Sequence, residues 1–369
     1  MPEGFTLTLL VVLGLAIAFD YINGFHDTAN SIATSVSTRA LTPTWAIGMS
    51  ATANFAGALV GTEVARTVGS GLIDTNVESQ AVIAAALVGA IVWNLVTWRL
   101  GIPSSSSHAL IGGLLGAALI SAGIGSWQME GVVNKVLVPL VGSPIIGFFL
   151  GLALMILIFN VFRRAHPARL NGLFRKLQIG SAAYMAFSHG SNDAQKTMGI
   201  ITLALVASGH IPADDFEVPF WVVVSAATAI ALGTYVGGWR IIKTMGTRII
   251  KMDPAQGFSA QGAGAAVILA ASQFGYPLST THTISGAVMG AGAAKRLSAV
   301  RWGVAGNIVA AWLLTLPAAA AVGAFTFGAT RIFGTGALGP TLVLLSLVGL
   351  LVAIFGRRLV EGRALTAES

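Results

Sequence analysis

Two nine-residue segments carry acidic side chains inside otherwise apolar sequence: NGFHDTANS at 23–31 and HGSNDAQKT at 189–197. They share a glycine and an aspartate, Gly24 with Gly190 and Asp27 with Asp193. Two further segments, GIPSSSSHALIGGLLGA at 101–117 and GYPLSTTHTISGAVMGA at 275–291, align without a gap. Gly101, Pro103, Ser105, His108, Gly112, Gly116 and Ala117 recur in the second as Gly275, Pro277, Ser279, His282, Gly286, Gly290 and Ala291. The first pair of segments offers carboxylates, which hold cations or protons. The second offers hydroxyls behind a proline, which suits an anion. A catalytic nucleophile occurs once in a chain, and these devices occur twice.

An ionisable side chain within hydrocarbon costs several kcal/mol on insertion scales and marks a functional position by default. Asp20, Asp27 and Asp193 meet that description. Recurrence sets Asp27 and Asp193 apart as lining a substrate or ion path, whereas Asp20 has no counterpart. Asn23, Asn30 and Asn192 either join the cation site or serve as caps and interhelical hydrogen bonds. Proline at a helix start followed by small hydroxyl residues presents unpaired N–H and O–H donors at a positive helix end. Ser105, Ser106, Ser107, Ser279, Thr280 and Thr281 are therefore the candidate anion ligands. The alternative is that these hydroxyls bond their own helix backbone, which suits Ser104, whose counterpart is Leu278. His108 and His282, one turn further on, either brace the hairpins or touch ligand. Lys196 can offset part of the acidic charge, but its counterpart in the aspartate register is Asn30, so it stands outside the symmetric core.

The elements that position these residues follow from composition. Of 369 residues 55% are hydrophobic and only 9% charged, with a mean hydropathy of +0.80, too apolar for a soluble surface. Runs long enough to cross about 30 Å of hydrocarbon as helices lie near 6–22, 43–62, 80–98, 136–162, 178–209, 218–238, 258–275, 302–325 and 338–356. Unpaired backbone groups exclude open strands there, so the fold class is an all-α integral membrane protein. The absence of cysteine removes disulfides, thiolate metal sites and a cysteine nucleophile. The first run lacks a basic flank and a cleavage site, and reads as a retained helix. The net charge of +7 belongs to loops between spans and follows the positive-inside rule, with no nucleic-acid partner implied.

Arg163, Arg164, Arg169, Arg175 and Lys176 make a basic linker at 163–177 that the same rule places in the cytoplasm. Basic loops with Arg240, Lys243, Arg248 and Lys251, with Lys295, Arg296 and Arg301, and a C-terminus with Arg357, Arg358 and Arg363 share that side. Acidic loops with Asp74 and Glu78, and with Asp214, Asp215 and Glu217, fall opposite. The proline interruptions favour two re-entrant hairpins, the first entering from outside at 80–125, with the N-terminus outside. Each half then has an odd number of crossings, which makes the halves an inverted-topology repeat. They are 1–162 and 178–325, with an extra helix and a cytoplasmic C-terminus at 326–369. Asn134 and Pro144, returning as Asn307 and Pro317, extend the repeat beyond the hairpins. The two opening motifs each interrupt an apolar segment too long for one straight crossing, and are expected to be helices broken near midplane.

Carboxylates beside an anion site predict coupling. A unit anion roughly 6 Å from a carboxylate is disfavoured by about 3 kcal/mol at an effective dielectric near 20. Neutralisation must arrive with the substrate, as protons on the aspartates or as Na⁺ held by Asp27, Asp193 and neighbouring oxygens.

The segments NGFHDTANS, SHGSNDAQKT, GIPSSSSH and YPLSTTH closely resemble the signatures of the inorganic phosphate transporter (PiT) family, particularly its bacterial low-affinity branch. The resemblance runs in order over nearly the whole chain. It implies an inverted-repeat fold, often dimeric, that imports phosphate with a coupling cation and needs no other cofactor. By it, cation and phosphate bind around Asn23, Asp27, Asn192 and Asp193 and around the tip hydroxyls, Ser105 to Ser107 and Ser279 to Thr281. Sodium-coupled members usually read Asn-Asp in both halves. This chain reads His26-Asp27 and Asn192-Asp193, like the proton-coupled branch that also carries metal–phosphate complexes, so H⁺ is expected rather than Na⁺. The large cytoplasmic insertion of those bacterial relatives is replaced by the short linker. The alternatives are a sulfate symporter of the same fold, a channel, and a membrane-embedded Ser/His/Asp hydrolase. No Gly-x-Ser-x-Gly elbow supports the last, and a transporter located in the cell membrane is the expected product.

Overall fold

The computed structural model describes residues 6–74, 79–212 and 216–332, together with 341–343, 345, 346 and 349. Glu78, Asp214, Asp215, Arg357, Arg358, Arg363 and most of the expected span at 338–356 lie outside the described residues. The described chain is helical apart from one isolated bridge between Ile73 and Trp127. Its helices are α1 (Leu7–Ser37), α2 (Pro43–Ala58), α3 (Glu63–Ser70), α4 (Gln80–Leu100), α5 (Ser106–Ala122), α6 (Met129–Gly131), α7 (Val138–Val161), α8 (Pro167–Ala207), α9 (Phe220–Val236), α10 (Trp239–Lys243), α11 (Pro254–Gln273), α12 (Thr280–Ala293) and α13 (Trp302–Arg331). A π turn at Val132–Leu137 joins α6 to α7, and another at Thr244–Arg248 extends α10.

The opening motifs do not break their helices. α1 runs unbroken for 31 residues and α8 for 41, the latter about 60 Å at 1.5 Å per residue. Neither motif contains proline, and in each a hydroxyl returns a hydrogen bond to the same helix: Thr28 donates to the Gly24 carbonyl at 2.6 Å and Ser191 to that of Ser188 at 3.0 Å. The motif glycines serve close packing instead. A Cβ at Gly24 would strike the Ile230 carbonyl of α9, and one at Gly190 the Asn54 carbonyl of α2. Excess length is taken up beyond the apolar zone: the exposed first turns of α8 carry most of the basic stretch at 163–177.

The proline segments do interrupt helices. α4 ends on Gly101 in the left-handed region, the chain runs extended through Pro103, and Ser105 caps α5 by accepting the His108 N–H at 3.1 Å. Likewise, Gly275 (φ 70°) follows α11, and Ser279 caps α12 by accepting the His282 N–H at 3.2 Å. α5 packs on α4 and α12 on α11, giving two helix–loop–helix hairpins. With 17 and 14 residues, α5 and α12 are shorter than the roughly 20 residues of a typical spanning helix.

The halves pack by exchange. α9 lies on α1 and α2 on α8; α13 lies on α5 and α7 on α12. Gly112 and Gly116 meet the backbone of Leu316 and Ala320, just as Gly286 and Gly290 meet that of Pro144 and Phe148. By length and apolarity Leu7–Ser37, Gln80–Leu100, Met129–Val161 and Trp302–Arg331 can cross a membrane, as can α9 with α10, bent by 63° at Gly237 and Gly238. Val141, Ile145 and Phe149 of α7 and Leu313 and Phe325 of α13 stand exposed, a surface for acyl chains rather than water.

Candidate functional site

α1 and α8 each present one polar stripe, and the stripes face each other in opposite directions. Asp20, Asn23 and Asp27 lie on one face of α1, at helical spacing. Asp20 faces Thr197 of α8, whereas Asp27 lies near His189, Nε2 to Oδ2 being 3.9 Å. The two tips enter from the sides and close on this pair.

Asp27 is the hub. Its Oδ1 lies 2.7 Å from His26 Nδ1, and its Oδ2 accepts from Ser106 at 3.1 Å. Ser106 also reaches Asn23 Oδ1 at 2.6 Å. From the other tip, Thr280 lies between the two aspartates, 3.2 Å from Asp193 Oδ2 and 3.5 Å from Asp27 Oδ2, and Thr281 lies 3.4 Å from Asp27 Oδ1. Asn30 donates to Thr281 at 2.9 Å and to Thr280 at 3.3 Å. On the second half Lys196 donates to Asp193 Oδ1, to Ser107 Oγ at 2.5 Å and to the Leu278 carbonyl at 2.8 Å. Ser107 in turn donates to the same carbonyl at 3.1 Å, so the two tips touch. Asp20, Asn23, Asp27, Asn192, Asp193, Lys196 and the six tip residues are all buried.

Every residue proposed from the sequence lies in or beside this cluster, in distinct positions. Ser105 and Ser279 are N-caps, whose O–H remains free to donate. Ser106, Ser107, Thr280 and Thr281 occupy the first two helical positions, where the backbone N–H has no acceptor within its own helix. Asn192 turns away from the aspartates, donating to Ser272 at 2.9 Å and to the Tyr276 carbonyl at 3.1 Å. His108 and His282 pack ring to ring at 4.9 Å, and His282 stacks on Trp312 at 4.0 Å. Trp312 also holds the Pro103 carbonyl at 3.2 Å, so this layer braces the tips from behind. Asp20 is the outlier: fully buried, facing Thr197 and Asn23, with neither carboxylate oxygen closing a hydrogen bond.

His189 was not singled out by sequence reasoning. Its Nε2 lies 3.0 Å from Asp193 Oδ2, and its Nδ1 2.9 Å from Asn54 Oδ1. The chain of donors fixes the ring: Thr234 donates to the Ile230 carbonyl at 2.8 Å, Asn54 Nδ2 donates to Thr234 at 2.9 Å, and Asn54 Oδ1 therefore accepts from Nδ1–H. Nε2 and the facing Asp193 oxygen approach each other without closing a hydrogen bond. A signal existed in the register. Four residues before each aspartate stand Asn23 and His189, and one residue before stand His26 and Asn192, so each half contributes one imidazole and one amide at exchanged positions. Thr97, which lies 3.1 Å from His26 Nε2 and accepts from Ser104 at 2.8 Å, had no repeat to mark it. Ligand atoms of Asp27, His189 and Asp193 lie within 4.8 Å of one another, close enough to share one small cation.

Comparison with known proteins points one way. Residues 23–323 match the phosphate transporter family. A probable low-affinity inorganic phosphate transporter of Rhizobium meliloti (strain 1021) is 52% identical over 320 residues, covering 86% of this chain and 95% of its own length. One of Bacillus subtilis (strain 168) is 48% identical over 324 residues, covering 87% and 96%. A solved structure described as "The sodium-dependent phosphate transporter" superposes with a TM-score of 0.78 at 26% identity, over 89% of this chain and all of that one.

Proposed function

Because this chain belongs to the phosphate transporter family, we propose that it is a secondary active symporter that imports inorganic phosphate with a coupling cation, H⁺ in preference to Na⁺. Its relatives are multi-pass membrane transporters, not enzymes, so the hydrolase alternative lapses. The observation that carries the reading is the meeting of both hydroxyl tips at Asp27, with the second tip reaching Asp193 as well. Thr280 alone lies within 3.5 Å of each carboxylate.

In the buried cluster the tip hydroxyls are engaged by the aspartates. An arriving phosphate would take Ser106, Ser107, Thr280 and Thr281 as donors, together with the first-turn N–H groups of α5 and α12. Their transfer frees the Asp27 and Asp193 oxygens, and each needs a positive partner at that moment. A proton or sodium ion supplies it, so anion and cation travel together. The close approach of His189 Nε2 to Asp193 Oδ2, 3.0 Å, and the undonated carboxyl of Asp20 support H⁺. The Asp27, His189 and Asp193 triad also suits a divalent cation carried as a metal–phosphate complex.

The antiparallel stripes of α1 and α8 and the exchanged packing support an inverted repeat, and the short α5 and α12 support re-entrant hairpins. We assign the N-terminus to the outside, the basic linker and C-terminus to the cytoplasm, and a homodimer as the assembly, on charge distribution and family resemblance. The test is phosphate uptake into proteoliposomes with a pH gradient and a Na⁺ gradient imposed separately. Accumulation driven by the pH gradient is the expected outcome. Uptake equally fast without either gradient would overturn symport, and full competition by excess sulfate would move the substrate assignment.

A further inference from the structure

Within the symport reading above, we propose that the Lys196 ammonium is a built-in cation that replaces sodium in the second half of the site. The repeat gives the comparison. Asn30 and Lys196 each stand three residues after their aspartate. Each reaches the tip of the opposite half at repeat-related hydroxyls: Asn30 donates to Thr281 at 2.9 Å, and Lys196 to Ser107 at 2.5 Å. The same geometric role is filled once by a neutral amide and once by a positive charge.

What surrounds Nζ is an oxygen shell. A carboxylate oxygen of Asp193, the Ser107 hydroxyl and the Leu278 carbonyl are all acceptors, and they match the three protons of an ammonium. Hard monovalent ions take ligands of this kind, and here the side chain already occupies them. A mobile cation at about 4 Å from Nζ would bind on the order of a thousandfold more weakly than beside a neutral group at an effective dielectric near 20. The ammonium is buried and pairs directly with Asp193. The sodium dependence by which the structural relative is described is thereby not carried over to this half of the site.

The experiment uses the purified full-length protein. Thermal melting is followed while NaCl is exchanged for choline chloride at constant ionic strength, alongside uptake under a fixed pH gradient in the same two salts. Wild type should melt and transport equally in both. Lys196→Asn, which copies the repeat-related residue, should gain a sodium-specific rise in melting temperature of roughly 3 °C or more and sodium-stimulated uptake. A sodium-specific shift in wild type would overturn the proposal, as would a folded Lys196→Asn protein with no sodium response. Should that variant fail to fold, the wild-type titration alone decides. Failure of wild type to accumulate phosphate under either gradient would instead count against symport itself, leaving the melting comparison readable.

Discussion

Asp27 and Asp193 bind hydroxyls supplied by the hairpin tips, so each side chain anchors a tip, and in the proposed symport each is also the charge that the substrate displaces. Asp27→Asn and Asp193→Asn should each reduce gradient-driven accumulation to background, with protein still inserted and soluble in mild detergent. Wild-type accumulation by either variant would remove the aspartates from the mechanism. Asp20 makes a finer prediction. Its carboxyl is buried with neither oxygen hydrogen-bonded, an environment that favours the neutral acid over the carboxylate. Asp20→Asn keeps that neutral state at all times. It should leave phosphate exchange across the membrane within about threefold of wild type and remove the pH-driven component. Equal loss of exchange and of pH-driven uptake would assign Asp20 a structural role instead. His189 is oriented by Asn54, so Asn54→Ala should lower uptake about tenfold, in line with losing a group that orients a ligand, and Asn54→Asp should recover part of it.

At the level of elements, the tips are held in place by helices of the opposite half. Gly112 and Gly116 let α13 lie against α5 at backbone distance, as Gly286 and Gly290 do for α7 against α12. Gly116→Val would force these backbones apart. Overpacking of this kind costs about 1–3 kcal/mol and often more where backbone is the neighbour, so the melting temperature should fall by several degrees and the tip would shift from Asp27. Gly142→Ala is the matched control, because a Cβ there meets nothing within 4 Å. The continuity of α1 and α8 belongs to the same scale. A polar motif in a long apolar segment reads as a break, but sharp breaks come at proline, at glycine pairs or where a group enters the hydrogen-bond ladder, and here the polar groups have partners across the interface. The proline segments at 101–105 and 275–279 meet that condition, and there the helices do stop.

For the whole molecule, two halves that insert in opposite senses would bring equivalent residues to opposite faces. The chain has no cysteine, so single cysteines report cleanly. Arg169→Cys and Arg296→Cys should react with an impermeant maleimide only from the cytoplasmic side, and Glu130→Cys and Glu217→Cys only from outside. Labelling of all four from one side would overturn the inverted arrangement. The arginines already show one consistent end: Arg240 donates to the Arg99 carbonyl at 2.6 Å, and Arg301 to that of Thr247 at 3.2 Å.

Sequence by itself determined the apolar surroundings, the helical class and the duplicated motifs, because apolar length, repeated spacing and proline are local properties that survive in one dimension. It also singled out, by repetition, the aspartates and tip hydroxyls that the fold brings into one cluster. Only the tertiary structure decided that the motif helices stay whole, that Asn192 turns outward while Lys196 turns inward, and that His189, Asn54 and the Leu278 carbonyl complete the site. Those facts depend on which acceptor lies opposite a side chain, and helices far apart in the chain supply it.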